Sequence, residues 1–447
     1  MRRYQLFCQL ILTAMKGSAP ALKSTLAFSV YPLASSAMNA APRRRQIAIL
    51  LIVALNSMAS GVATEGAEAP KLTVVGRQLQ DPNGNAIQLH GWHQPAEPWH
   101  CGRGKFWRYG DYPGELRYLE AIVDTFTTHT PLYGYPHGWY FNQVRLGTGT
   151  DLEPSTATNV NMAGLQKWTD EVLVPFTDYC GQHGVYVILL PVGCPVKSTT
   201  PELQQKMIQI WSYFSSHPRL KSKANLQFEL CNEPVEAQAA NGSWGMDGQK
   251  YSDALVNWLQ PVVDVIRTNG ADNIIWIPGL AWQSNYKGFA KKTVSDTNIG
   301  YAVHIYPAYG GVGDNPKAIG KFWNSQVKPI ADKAPVNITE VWWRRWFDED
   351  VKFDPNRYGK LFDGVTGDNK RGFGTALKTI TEKQGNVSWC FHMTSNLLGK
   401  GPRADSADPQ GVLNNADPKR DSAAVAAFQW SYEWRDTGPR GSITNSP

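Results

Sequence analysis

The feature that most constrains the fold of this 447-residue chain is an alternation of short apolar segments with helix-length amphipathic ones after residue 69. The apolar segments are rich in Val, Ile, Leu and aromatic residues, and each has the length of one strand. "VYVILLP" is apolar throughout, which is typical of a strand buried on both faces of a parallel sheet. The eight segments are one ending near Gly91-Trp92-His93, then 141–147, 185–193, 225–234, 273–282, 300–308, 335–343 and 386–393.

Eight strands joined by helical crossovers predict a single parallel (β/α)₈ barrel, an α/β fold. A short N-terminal hairpin, turned at Asp81-Pro82-Asn83-Gly84, is expected before the first barrel strand. No linker or second domain is evident, so residues 64–447 are predicted to form one domain. Two long loops, 343–371 and 394–420, follow the seventh and eighth strands.

Residues 1–63 have the composition of a targeting segment. They contain seven Lys and Arg residues and no Asp or Glu, so removing them changes the net charge from +6 to −1 (44 − 7 basic against 38 acidic residues). The remaining chain is nearly neutral, and no polyanionic partner such as nucleic acid is indicated.

The stretch "RRRQIAILLIVALNSMASGVA" has the basic start, short apolar run and small residues of a signal peptide. Its apolar run is too short to span a bilayer. We expect translation to start at Met38, cleavage to leave a chain beginning at Thr64, and the product to be a secreted or periplasmic monomer without membrane attachment. An uncleaved membrane anchor is the alternative.

Five cysteines lie beyond the targeting segment, and their number leaves at least one thiol unpaired. No two of them form a C-x-x-C pair, and the chain has no His pair at helical spacing and no EF-hand pattern. Neither a metal nor a cofactor is therefore predicted. Up to two disulfides could form in an exported protein, with the pairing open. These residues are Cys101, Cys180, Cys194, Cys231 and Cys390.

The active site of a parallel barrel lies at the carboxyl ends of its strands. Polar and aromatic residues are concentrated at those positions here, and the chain has 17 Trp residues, a type that often lines sugar-binding grooves. In strand order they are Trp92 and His93, Arg145, Asn232 and Glu233, Trp282, His304 and Tyr306, Glu340, and Trp389.

Two of these residues are carboxylates, Glu233 on the fourth strand and Glu340 on the seventh. Glycoside hydrolysis needs such a pair, one to protonate the leaving oxygen and one to attack or to activate water. We expect Arg145 to pair with Glu340 and keep it ionised, and Tyr306 to donate a hydrogen bond to it. His304 lies two residues before Tyr306, on the same side of the strand, and is expected near Glu233.

These motifs resemble glycoside hydrolase family 5, the old cellulase family A, over nearly all of residues 70–435. The matching sequences are "NEP" at 232–234, "HIY" at 304–306 and "TEVW" at 339–342, with Arg145 on the second strand. The resemblance implies that Glu233 is the acid/base, Glu340 the nucleophile and Asn232 a donor to the sugar 2-hydroxyl. It also implies that Trp389, as the strand-eight tryptophan, floors the subsite of the cleaved sugar.

The chain departs from the family in two places. Many members carry a His at the end of the third strand, where this sequence has Pro191, Gly193 and Cys194. The run after Glu340 is unusually aromatic, and Trp342, Trp343 or Trp346 is expected to add a stacking surface.

The sequence therefore predicts a retaining glycosidase without metal or organic cofactor, acting on a polysaccharide or oligosaccharide. A β-1,4-glucan cleaved internally is the expected substrate. Alternatives within the family are an endo-β-1,4-mannanase, an exo-acting β-glucosidase and a β-1,3-glucanase. The remaining alternatives are a barrel that only binds carbohydrate and an interaction protein built on a barrel scaffold.

Overall fold

A computed structural model describes residues 69–95, 107–132, 135–148, 160–307, 310–313, 315–342, 372–398 and 422–439. The predicted targeting segment, Cys101, Trp343, Trp346 and the 343–371 loop lie outside these residues. The strands, in chain order, are β1 (Thr73–Val75), β2 (Gln78–Gln80), β3 (Ala86–Ile87), β4 (His90–Gln94), β5 (Gln143–Gly147), β6 (Tyr186–Leu190), β7 (Leu226–Glu229), β8 (Ala237–Gln238), β9 (Trp244–Gly245), β10 (Ile275–Pro278), β11 (Ile299–Ile305), β12 (Val336–Val341) and β13 (Val387–His392).

Eight of these strands form a closed barrel in the order β4-β5-β6-β7-β10-β11-β12-β13. Every neighbouring pair is parallel, and the barrel closes where β13 pairs with β4, with Phe391 opposite Trp92. The predicted (β/α)₈ barrel is confirmed, and each predicted strand overlaps one of the eight. Because all eight strands run the same way, their carboxyl ends meet at one mouth.

Helices surround the barrel on the outside, as crossover connections between parallel strands require. Thr200 caps α4 by accepting a hydrogen bond from the Leu203 amide, with Pro201 in the first turn. The helices are α1 (Tyr112–Thr127), α2 (Met162–Trp168), α3 (Val174–Gln182), α4 (Pro201–Ser216), α5 (Gln249–Thr268), α6 (Pro316–Phe322), α7 (Lys328–Ala331), α8 (Phe373–Gln384), α9 (Thr394–Leu398) and α10 (Ser422–Glu433). Single π-helical turns, Thr169–Leu173 and Trp323–Val327, join α2 to α3 and α6 to α7.

The N-terminal region differs slightly from the predicted hairpin. The turn after Asp81 does join two antiparallel strands, β2 and β3, but β1 adds a third strand on the other side of β2. Leu79 and Ile87 of this small sheet pack with Tyr186, the first residue of β6, and Trp276, the second residue of β10. The sheet therefore covers the amino-terminal end of the barrel with apolar side chains.

The barrel interior becomes polar toward the mouth. Gln143 of β5 hydrogen-bonds across the interior to Asn337 of β12, with 2.9 Å between Asn337 Nδ2 and Gln143 Oε1. Gln143 also donates to the Cys390 thiol of β13 at 2.9 Å. The alternate residues of β13, Trp389 and Phe391, face the opposite way, toward the outer helices. This alternation decides which residues reach the site.

Outside the barrel, the structure describes the start of the predicted 394–420 loop, four of the cysteines and the surrounding helices. The start of the predicted 394–420 loop is the short helix α9, which continues directly from the eighth barrel strand. The four cysteines in the described ranges are free thiols, and Cys180, Cys231 and Cys390 are buried. No helix within those ranges combines the length and the apolar character needed to cross a bilayer.

Candidate active site

Two carboxylates face each other at the barrel mouth. Glu340 is the fifth residue of β12, and Glu233 lies four residues after the end of β7. An oxygen of each carboxylate and the His304 imidazole nitrogen all lie within 4.8 Å of one another. Glu340 has 8% of its side chain exposed and Glu233 has 24%, so both can be reached from the mouth while most of their surface is protected from water.

Arg145 connects the two strands that carry these carboxylates. Its Nη1 donates to Glu340 Oε1 at 2.6 Å, and its Nη2 donates to Asn232 Oδ1 at 2.8 Å. Two further bonds run to Glu229, from Nε at 2.6 Å and from Nη2 at 2.9 Å. Arg145 is completely buried, and a buried guanidinium needs such a set of acceptors. The predicted pairing of Arg145 with Glu340 is present.

The remaining predicted contacts are also present. The Tyr306 hydroxyl donates to Glu340 Oε2 at 2.5 Å, and His304 Nδ1 lies 2.9 Å from Glu233 Oε1. His304 Nε2 is buried and has no hydrogen-bond partner in the described part of the chain. An unprotonated nitrogen tolerates that position better than an N–H does. The proton therefore belongs on Nδ1, which donates to Glu233.

The surroundings shift the two carboxylates in opposite directions. Burial raises the pKa of Glu233 above its ordinary value of 4.5, and the hydrogen bond from His304 offsets only part of that rise. Burial would also raise the pKa of Glu340, but the imidazoles of His304 and His392 and the guanidinium of Arg145 outweigh it and hold the pKa well below 4.5. A pair of carboxyls with pKa values pushed apart can supply one acid and one ionised base or nucleophile.

The backbone of Glu233 is in the left-handed region, with φ of 53°. Its amide donates to Gln283 Oε1 at 2.7 Å. Gln283 ends a four-residue turn, Leu280–Gln283, in which Ala281, Trp282 and Gln283 all have positive φ. Non-glycine residues persist in this conformation only where their surroundings hold them, and such residues are found at functional sites. The turn thus positions Glu233 through the Gln283 side chain.

Two histidines line the side of the mouth next to Glu340. His93 is the fourth of the five residues of β4 and His392 ends β13, and their Nδ1 atoms lie 2.8 Å apart. Each also lies close to Glu340, His93 Nδ1 at 3.7 Å from Oε1 and His392 Nδ1 at 3.5 Å from Oε2. Burial and the charge of Arg145 hold the pKa of His93 well below 6.5, so His93 is neutral at pH 7. His93, predicted to line the substrate groove, does lie at the mouth.

Three of the predicted stacking tryptophans are not at the mouth, and their assignment was wrong. Trp389 is fully buried, on the outer face of β13, with its ring 4.6 Å from that of Trp430 in α10. Trp92 is also fully buried, and its ring lies 4.8 Å from that of Phe126 in α1. Trp342 is 3% exposed and lies edge-on to Phe391. All three belong to the layer between barrel and helices and cannot stack on a bound sugar.

The fourth tryptophan is placed differently. Trp282 is half-buried, and its amide donates to the Pro234 carbonyl at 3.1 Å, one residue beyond Glu233. Its assignment to substrate binding stays a prediction.

At the end of the third barrel strand, Gly193 pairs with Asn232, and the Cys194 amide donates to the Asn232 carbonyl at 3.0 Å. The unusual strand-three residues therefore support the backbone next to Glu233.

Sequence reasoning missed three residues of the site: Glu229, Gln283 and His392. Glu229 had a signal, because Gln227 and Glu229 alternate with Leu226 and Phe228 and so face the barrel interior together. His392 had the same signal, since it shares the side of Cys390 rather than that of Trp389. Gln283 had none, because its role depends on a left-handed turn that no sequence pattern marks.

Among the residues that the structure describes, two groups of side chains have donor atoms close enough to bind a metal ion. One is Glu233, His304 and Glu340, and the other is His93, Glu340 and His392, each with its ligand atoms within 4.8 Å of one another. Both groups include Glu340.

Comparison with known families supports the same region of the chain. Residues 127–343 match the family model described as Cellulase (glycosyl hydrolase family 5). This range contains Arg145, Glu233, His304 and Glu340.

Solved structures with the same fold include a β-glucanase from Saccharophagus degradans in complex with cellotetraose. It is 17% identical, with a TM-score of 0.54, and the match covers 82% of this chain and 94% of that one. The catalytic domain of the Thermobifida fusca endoglucanase Cel5A is 18% identical with a TM-score of 0.52, over 82% of this chain and 97% of that one. At this identity the likeness concerns the barrel fold.

Proposed function

We propose that this chain, whose residues 127–343 match the family model of glycosyl hydrolase family 5, is a retaining β-glycanase that cleaves β-1,4-glucan internally. The observation that carries the proposal is the pair Glu233 and Glu340. One carboxylate oxygen of Glu233 lies within 4.8 Å of one carboxylate oxygen of Glu340. Retaining glycosidases hold their carboxyl groups about 5–5.5 Å apart, and inverting ones about 6.5–9.5 Å. The short distance between the two oxygens supports the retaining arrangement, in which the carboxylate attacks the sugar directly.

In the proposed first step, Glu340 attacks the anomeric carbon while Glu233 gives its proton to the glycosidic oxygen. The raised pKa of Glu233 supports its role as the acid, and the lowered pKa of Glu340 supports its role as the nucleophile. The products are a glycosyl ester on Glu340 and a free alcohol on the leaving sugar. Tyr306 and Arg145, bonded to the two oxygens of Glu340, hold the carboxylate in place for the attack.

In the proposed second step, water attacks the same carbon and Glu233, now ionised, accepts its proton. Glu340 leaves as a carboxylate, and the two inversions restore the original configuration. Asn232 accepts from Arg145 through Oδ1, so its amide nitrogen points away from the guanidinium and can donate to a sugar hydroxyl. Trp282 is the aromatic side chain we assign to sugar contact.

The test measures reducing sugar released from carboxymethyl-cellulose, barley β-glucan, galactomannan and xylan, using protein that begins at Thr64. We expect activity on the glucans, a loss of about 10²–10⁴-fold in Glu233→Gln, and a loss at least as large in Glu340→Gln. Proton NMR of the first product should show the β-anomer. Azide should restore activity to Glu233→Ala with a β-glycosyl azide product, and to Glu340→Ala with an α-glycosyl azide.

Different outcomes would point to the alternatives. Release from galactomannan alone would make the enzyme a mannanase, and activity confined to short glycosides would make it an exo-acting glycosidase. Sugar binding without hydrolysis in the folded wild type would leave a carbohydrate-binding barrel. The proposal also holds that the protein is secreted or periplasmic, supported by the signal-like sequence before Thr64, and N-terminal sequencing of the exported product tests it.

A further inference from the structure

Donor atoms of His93, His392 and Glu340 lie within 4.8 Å of one another at the barrel mouth. The two Nδ1 atoms are 2.8 Å apart, His93 Nδ1 is 3.7 Å from Glu340 Oε1, and His392 Nδ1 is 3.5 Å from Glu340 Oε2. A tetrahedral zinc ion with ligands at about 2.0–2.1 Å separates any two of its ligand atoms by about 3.3 Å. The three distances lie around this value, so an ion can bind all three groups with small side-chain adjustments.

The chemistry of the three groups suits a transition metal. Two imidazoles and a carboxylate form a ligand set that zinc uses in proteins, with a remaining position for water. Mg²⁺ and Ca²⁺ prefer oxygen ligands and would gain little from the imidazoles.

The surrounding charge does not exclude a cation. Arg145 is the nearest positive group, at 2.6 Å from Glu340 Oε1, but Glu229 neutralises it with two hydrogen bonds. Arg145, Glu229 and Glu340 together carry a net charge of −1. The side chains of His93, His392 and Glu340 are 10%, 13% and 8% exposed, so an ion entering the mouth can reach them.

The other candidate group is weaker. Glu233, His304 and Glu340 offer one imidazole and two carboxylates, whereas the first group offers the two nitrogen ligands that zinc favours.

We propose that His93, His392 and Glu340 form a binding site for a divalent transition-metal ion of the zinc type, and that the bound ion inhibits the enzyme. The inhibition rests on the proposed function, because the ion would occupy the carboxylate assigned as nucleophile. Zinc should therefore compete with substrate, and a chelator should restore activity. Metal binding itself does not depend on the proposed function.

Isothermal titration calorimetry with ZnCl₂, on protein purified without a histidine tag, tests the site directly. We expect one ion per chain at this site, with the affinity reduced at least about tenfold in His93→Ala and in His392→Ala. His183→Ala is the matched control, since His183 is an exposed imidazole near Asp124 and should leave the affinity unchanged. Co²⁺ in place of zinc should give the visible absorption of a tetrahedral site in the wild type and in His183→Ala, and in neither His93→Ala nor His392→Ala.

Absence of zinc binding, or equal affinity in the wild type and both histidine variants, would overturn the proposed site. His392→Asn keeps a hydrogen-bonding group near Nδ1 but is a poor zinc ligand, so it serves if His392→Ala does not fold. Zinc binding in a chain that hydrolyses no glycan would support the site and refute the proposed function. Hydrolysis that zinc does not inhibit, in a chain that does not bind zinc, would refute the site and support the function.

Discussion

Arg145 is the residue on which the arrangement of the site depends most. It is fully buried and donates to Glu229, Asn232 and Glu340, so its charge is balanced and its orientation is determined by three partners. Removing one member of a buried ion pair costs about 3–5 kcal/mol, because the remaining charge is left without a partner. Glu229 therefore stabilises the buried charge and the orientation of Arg145, and through Arg145 the position of Glu340.

The opposite pKa shifts of Glu233 and Glu340 predict a bell-shaped pH profile. The proposed reaction needs Glu340 ionised and Glu233 protonated. The acidic limb of kcat/KM should therefore lie below pH 4.5, where Glu340 becomes protonated, and the alkaline limb above pH 4.5, where Glu233 loses its proton. His304 lowers the pKa of Glu233, so His304→Ala should move the alkaline limb to higher pH.

The pH dependence of kcat/KM on a soluble glucan measures both limbs. His183→Ala, far from the two carboxylates in sequence and on the surface, should leave both limbs where they are in the wild type. An alkaline limb that moved to lower pH in His304→Ala would contradict the assignment of Glu233 as the acid.

At the scale of elements, the turn Leu280–Gln283 joins the end of β10 to the loop that carries Glu233. The Ala281 and Trp282 amides donate to the carbonyls of Val235 and Pro234, both at 3.1 Å. The Gln283 side chain accepts a hydrogen bond from the Glu233 amide through Oε1. Gln283 Nε2 donates to Glu229 Oε1 at 3.1 Å. Residues at positive φ cost about 1–3 kcal/mol each. These bonds hold three of them in succession, which indicates that the turn determines the position of Glu233.

We expect Gln283→Ala to lower kcat by about 10–10²-fold, because a displacement of about 1 Å from the productive geometry costs about that much. KM should change little, since Gln283 is fully buried and is not assigned to substrate contact. Steady-state kinetics measures the two constants separately. Gln260→Ala is the control, because Gln260 bonds to Asp264 on the outer helix α5. A fall in affinity with unchanged kcat would instead place Gln283 in substrate binding.

At the scale of the whole molecule, the two ends of the barrel have different tasks. The amino-terminal end is apolar and is covered by the small sheet β1–β3, and the Tyr186 hydroxyl bonds to the Pro70 carbonyl at 2.6 Å. The carboxyl end carries the charged site. Stability and chemistry are thus separated along the barrel axis, as in other barrels of this kind.

Leu79→Ala should therefore lower the free energy of unfolding by about 2–5 kcal/mol, since Leu79 is only 2% exposed and fills the base of the barrel. Activity of the folded variant at low temperature should remain close to that of the wild type. Val75→Ala is the control, because Val75 is 50% exposed in the neighbouring strand. Denaturant unfolding measures both variants, and equal stability would mean that the sheet does not support the barrel.

The sequence by itself determined the barrel and the residues Arg145, Asn232, Glu233, His304, Tyr306 and Glu340 at its mouth. Buried parallel strands leave continuous apolar runs, and the polar residues that end them stand out against these runs. The acid and nucleophile roles of Glu233 and Glu340 still await the proposed experiments.

Only the tertiary structure decided which aromatic residues reach the mouth. A shift of one residue along a strand turns a side chain from the barrel interior to the helices, so Trp389 lies in the outer layer and His392 faces Glu340. Glu229 and Gln283 act through contacts with residues far away in the chain, 84 positions for Glu229 with Arg145 and 50 for Gln283 with Glu233. Contacts at such separations follow from the closure of the barrel, and no local pattern contains them.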